Sequence, residues 1–167
     1  AFAQSSLPGD LVILGEGPAR TELEKELARL GIDGRVHLPG FLTNPFPVIK
    51  GAAAFVLTSD LEGLPTSLIE AMMLGVPVIA TNCRTGPSEI LAGQAHMTVS
   101  DLTEAPYGLL VPTGTVAPLV RALDKLADPA MRSDLARRAQ AGTSRYAMNA
   151  VVENYWSVIE VQLAQTR

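Results

Sequence analysis

With one cysteine, two histidines and a 5% share of aromatic residues, this 167-residue chain has few of the groups that staple or metallate small proteins. Cys83 alone permits no internal disulfide, and a reducing compartment suits it. His37 and His96 stand far apart without companion ligands, so no metal site is expected. No apolar run reaches the roughly 18 residues that span a bilayer. The stretch 71–80 comes nearest, and Gly75 and Pro77 break it. A secretory leader pattern is lacking too. Charged residues make up only 18%, with a net charge of -4, which argues against nucleic acid as the main partner, since such partners call for a basic face to neutralise phosphates. Even the Gly15-Glu16-Gly17 turn fails as a dinucleotide fingerprint, because Arg20 occupies the place of the third glycine. These absences lead to the expectation of a soluble cytoplasmic domain.

What the chain does have is apolar substance, 47% of its residues, enough for one compact domain with a sizeable core. Short runs rich in β-branched residues predict strands at 11–14, 35–38, 54–57, 77–80 and 108–111. Helical patterns lie between them at 19–30, 45–51, 65–74 and 87–91. This alternation implies an α/β fold, a Rossmann-like doubly wound parallel sheet covered on both faces. Residues 92–106 show no pattern and read as a loop. C-terminal helices follow. Val116, Leu119, Val120, Leu123 and Leu126 keep one face apolar, and Asp128-Pro129 ends that helix and starts the next. Met148, Val151, Val152, Tyr155, Trp156, Ile159 and Leu163 form a last apolar stripe that must dock, in the core or against another domain. Residues 1–6 read like the end of a helix, and a doubly wound domain would normally place a strand before it.

The most informative stretch runs from Ser59 to Ala80. It leaves a strand, turns at Gly63 and enters a helix with Pro65 near its first turn. A helix start offers unpaired amides and the positive end of a dipole, both suited to a phosphate. Thr66 and Ser67 add hydroxyl donors, while Glu62 and Glu70 flank the turn. Carboxylates accept strong hydrogen bonds from sugar and ribose hydroxyls. A nucleotide sugar can therefore satisfy both kinds of group at once.

The stretch reads EGLPTSLIEAMMLGVPVIA from Glu62, and it resembles the E-x7-E signature of group 1 (family 4) glycosyltransferases, EGFG-x4-EAMA-x-G-x-PV. Four more landmarks match in order: LVILGEGPARTELE over 11–24, VHLPGF over 36–41, TGPSEIL over 85–91 and GLLVPTG over 108–114. The resemblance implies the C-terminal, donor-binding half of a two-domain GT-B enzyme, with residues 1–167 forming a single nucleotide-sugar-binding domain. It implies that the first strand of that domain and the N-terminal acceptor domain lie outside this chain, which alone would not turn over substrate. By the same resemblance Glu62 lies against the donor sugar as the catalytic carboxylate, and Glu70 holds the ribose hydroxyls. Gly63 and Leu64 contact the sugar, the turn through Pro65, Thr66 and Ser67 faces the diphosphate, and Gly40 and Phe41 border the base. The family is metal-independent and uses no cofactor beyond its nucleotide-sugar substrate, here with UDP favoured. It retains anomeric configuration and serves polysaccharide biosynthesis, with a glycan or lipid-linked acceptor. Its last helix crosses back to the N-terminal domain.

Two departures stand out: Pro65 replaces a common second glycine, and Thr85-Gly86-Pro87 replaces a common glycine pair. Other readings stay open at this stage. A non-catalytic nucleotide or protein interaction module could use the same fold, as could a sugar-nucleotide epimerase of related architecture. Arg132, Arg137, Arg138 and Arg145 form a basic patch, read as a solvated helix face, with peripheral contact at the inner membrane face as the alternative. Cys83 reads as a structural thiol.

Overall fold

The computed structural model describes residues 1–165. After a single 3-10 turn at Phe2–Gln4, the elements run β1 (Leu11–Leu14), α1 (Arg20–Leu30), β2 (Val36–Gly40), α2 (Phe46–Lys50), β3 (Phe55–Leu57) and α3 (Thr66–Met73). They continue with β4 (Val78–Thr81), α4 (Pro87–Ala92), β5 (Thr103–Ala105), β6 (Gly108–Val111), α5 (Ala117–Lys125), α6 (Pro129–Ala141) and α7 (Met148–Gln165). Strands β3, β4 and β6 run parallel, in the order β3-β4-β6-β5. Strands β1 and β2 form a separate parallel pair. The α/β, Rossmann-like character predicted from the alternation is what the chain adopts.

Every residue of β4 and β6 is buried. Successive side chains leave a strand on opposite faces, so these unbroken apolar runs serve two cores at once. Val78, Ala80 and Leu110 face Leu68, Met72, Ile90 and Leu91 of α3 and α4. Ile79, Leu109 and Val111 face Ala122, Leu123, Leu126 and Leu135 on the side of α5 and α6. Leu110, fully buried, is expected to cost about 2–5 kcal/mol when cut to alanine, measured by urea unfolding. Leu14 packs on the same core cluster as Leu57, which joins the β1–β2 pair to the larger sheet.

Three expectations need correction. Residues 92–106 are not all loop, because β5 pairs antiparallel with β6. Its Thr-Glu-Ala sequence carries no apolar alternation, and the partner strand alone makes it a strand. The apolar stripe of α7 does not enter the core: Tyr155 is 70% and Trp156 59% exposed. The arginines of the C-terminal region are not a free basic face either. Arg132 donates to the carbonyls of Leu126 and Ala127 at the end of α5, and Arg138 pairs with Glu104 and Asp134. Arg145 donates to the Ile90 carbonyl at 2.6 Å and lies over the Tyr107 and Tyr146 rings. Among the described residues, no helix is long and apolar enough to cross a membrane.

Candidate functional site

The site is built where β3 hands the chain to α3. Residues 58–65 form an irregular loop at the carboxyl end of β3, the edge at which parallel α/β sheets present ligand sites. Thr81, the last residue of β4, pins the near end of this loop: its hydroxyl donates to the Ser59 carbonyl at 2.6 Å. At the far end Pro65 is buried and takes an extended conformation, φ −69 and ψ 97, immediately before the helix. The ring fixes φ and supplies no N–H. Helix α3 therefore begins at Thr66, one residue later than the apolar pattern suggested. No side chain caps it. The amides of Thr66 and Ser67 have no acceptor among the described residues, and the first bond of the turn runs from the Leu68 amide to the Pro65 carbonyl at 3.1 Å. Free amides and the helix dipole together make this opening electropositive.

Packing fixes which way the polar groups point. Leu68, Ala71 and Met72 are fully buried, so α3 cannot roll. Thr66, Ser67 and Glu70 fall on the other side, Glu70 lying four residues after Thr66 and three after Ser67. Thr66 is exposed, while Ser67, Glu70 and Glu62 are half-buried. Gly63 and Leu64 are exposed between the two carboxylates. These residues of the predicted loop-and-helix group thus all keep some exposure except Pro65, which is buried.

A second segment meets it. After β4 the chain passes Cys83 and turns through Thr85 and Gly86 into α4. The Thr85 hydroxyl donates to the backbone carbonyl of Glu62. Gly86 has φ +92, and a Cβ there would lie 2.5 Å from the Gly63 carbonyl oxygen and 2.5 Å from Pro65 Cδ. Only glycine both adopts that backbone and leaves that space. Cys83 is buried, and its thiol sits 3.7 Å from the Thr85 carbonyl. Burial pushes that thiol up from its ordinary range, and the negative charge of Glu62 adds to the shift. Because the fold holds the proton, the unfolded chain loses it first, and stability falls as pH rises past the free-thiol range near about 8.5. Iodoacetamide at pH 8 should alkylate Cys83 about tenfold or more slowly in the folded chain than after unfolding; equal rates would contradict its burial.

Gly40 and Phe41 sit on the other strand pair. Gly40 ends β2 with φ +80, its carbonyl accepts from the Gly15 amide at 3.0 Å, and a Cβ would stand 2.6 Å from Glu16 Oε1. Glu16 is itself paired with Arg20, which also donates to the Leu38 carbonyl. Phe41 projects into solvent, 79% exposed. Among the described residues no hydrogen bond or ion pair links Gly40 or Phe41 to residues 62–70. A cavity of about 230 Å³ opens beside them, lined by Leu14, Gly15, Glu16, Pro18, Leu23 and Leu38 among others. It includes neither Glu62 nor Glu70. Sequence reasoning assigned the signature residues 62–70 to the site but gave no part in it to Thr81, Thr85 and Gly86, which hold the loop. The Gly-Pro step at 86–87 signals a turn into a helix, yet nothing local tells that Thr85 reaches back 23 residues.

Comparison with known proteins agrees with this fold. The family model "Glycosyl transferases group 1" matches residues 3–128. An uncharacterized glycosyltransferase of Methanocaldococcus jannaschii is 41% identical over 97 residues, covering 58% of this chain and 23% of that protein. The lipopolysaccharide core biosynthesis glycosyltransferase LpsE of Rhizobium meliloti is 28% identical over 160 residues, covering 94% of this chain and 44% of that protein. This chain thus spans less than half the length of either relative. The solved structure of Anabaena HepE in complex with UDP superposes with a TM-score of 0.80 at 20% identity, over 96% of this chain and 43% of that one. With the family model matching most of its length, the chain belongs to the group 1 glycosyl transferase family.

Proposed function

We propose that this chain is the donor-binding domain of a retaining glycosyltransferase, which moves a sugar from a nucleoside diphosphate, UDP favoured, to a glycan or lipid-linked acceptor. The observation that carries this reading is the uncapped start of α3, where the Thr66 and Ser67 amides stand free beside the half-buried carboxylates Glu62 and Glu70. The amides suit the diphosphate. Glu70, one turn into the helix, suits the ribose hydroxyls, and Glu62 suits the sugar. As the anomeric C–O bond breaks, negative charge grows on the diphosphate oxygens, and the α3 dipole and amides stabilise it without a metal. Glu62 then acts on the developing positive sugar by charge and position, with the acceptor attacking from the face the leaving group vacates.

UDP in complex with HepE, and the lipopolysaccharide role named for LpsE, support the donor and acceptor classes. The short share of each relative that the chain spans supports an acceptor-binding domain elsewhere in the protein. The exposed apolar face of α7 suits packing against that domain, and the unshared edges of β1 and β3 suit one further strand between them. Titrating UDP, GDP and their sugars by calorimetry tests the reading. UDP-sugars should bind more tightly than UMP by about tenfold or more, through the added diphosphate and hydroxyl contacts. Sugar isomerisation without an acceptor would point to an epimerase. No binding by the complete protein would leave an interaction module.

A further inference from the structure

We infer that Thr85 and Gly86 are positioning residues, which act through the backbone of Glu62 and Gly63 to set where the Glu62 carboxylate is presented; this rests on the role proposed for Glu62. Glu62 lies in a loop without regular structure, and neither a helix nor a strand ladder fixes its backbone. A charge on such a loop would sample many orientations, and ordering it costs conformational entropy. The turn between β4 and α4 supplies the missing constraint. The Thr85 hydroxyl donates to the Glu62 carbonyl, and Gly86 lies flat against the Gly63 carbonyl and the Pro65 ring. The turn is itself held: the Cys83 thiol lies against the Thr85 carbonyl, and Gly86, Pro87 and Ser88 are buried at the start of α4. Thr81 pins the loop at Ser59. The Glu62 main chain is thus clamped from one side, and its side chain is half-buried. The one hydrogen bond its hydroxyl makes goes to backbone, so Thr85 works by holding Glu62.

A double-mutant cycle on sugar transfer by the complete enzyme tests this. Thr85→Val keeps the shape and removes the donor. It should lower kcat by about fivefold or more, the worth of one hydrogen bond that orders the loop, with donor KM within about twofold. Thr85→Ser restores the hydroxyl and should recover most of that loss. In a Glu62→Gln background Thr85→Val should have almost no further effect, because residues acting as a unit are non-additive. Full additivity, or a serine variant as impaired as the valine one, would overturn the inference. A readout independent of activity separates this failure from failure of the transferase reading. In the ligand-free chain the Glu62 carbonyl carbon resonance should shift in Thr85→Val and return in Thr85→Ser. If it does not move, no clamp exists, whatever the protein catalyses.

Discussion

Replacing Glu70 with alanine is expected to weaken binding of UDP by about a hundredfold while leaving the fold intact. Each hydrogen bond from a ligand hydroxyl to a carboxylate contributes about 1.5–3 kcal/mol, and two ribose hydroxyls on one carboxylate reach about 3 kcal/mol, or two decades of affinity. The position makes the experiment clean. Leu68, Ala71 and Met72 anchor α3 without help from Glu70. Its side chain makes no hydrogen bond or ion pair among the described residues. Stability should therefore change by no more than about 0.5 kcal/mol. Glu70→Gln keeps the acceptor oxygen without the charge and should recover part of the loss. Calorimetric titration beside a thermal melt checks both halves; unchanged UDP affinity with an unchanged melt would remove the ribose-binding role.

The second large effect belongs to Glu62, and it should fall on turnover. In the complete enzyme Glu62→Gln should lower kcat by about 10²–10³, the usual cost of removing one preorganised electrostatic group, with donor KM within about threefold. The split follows from the geometry. In the proposed roles, the amides of Thr66 and Ser67 and the carboxylate of Glu70 would hold the nucleotide from α3, and among the described residues no hydrogen bond ties them to Glu62. In its proposed role Glu62 would add negative charge where the sugar becomes positive, an interaction strongest in the transition state. Steady-state rates with saturating acceptor separate the two parameters. A rise in KM at constant kcat would make Glu62 a binding residue only.

The parts of the molecule that rest on local chemistry were legible in the sequence. The buried runs 78–81 and 108–111 announced themselves as strands because both faces are covered, and the apolar spacing of Leu68, Ile69 and Met72 announced α3. Asp128-Pro129 marked the helix boundary correctly, and the Asp128 carboxylate accepts from the Ala130 amide at 2.9 Å. What escaped depends on partners distant in the chain. Strand β5 exists because β6 offers it a ladder, although Thr103-Glu104-Ala105 has little strand character of its own. Arg138 looked like surface charge, yet Glu104, 34 residues away, holds it. The stripe of α7 was read correctly as apolar, but periodicity says only that a face wants cover and is silent about what provides it. At the site, the E-x7-E spacing set Glu62 and Glu70 on one loop-and-helix segment, whereas the approach of Thr85 and Gly86 to Glu62, Gly63 and Pro65 depends on two loops meeting.

One titration bears most directly on the opening of α3 as a diphosphate seat. Isotope-labelled protein titrated with UDP should show saturable shifts greatest at the amides of Gly63, Leu64, Thr66 and Ser67, abolished at the same concentrations in Glu70→Ala. Saturable binding that leaves those four amides unmoved, with the shifts gathered instead around the cavity at Gly15 and Leu38, would mean that the nucleotide sits elsewhere and that the carboxylates of this loop have another purpose.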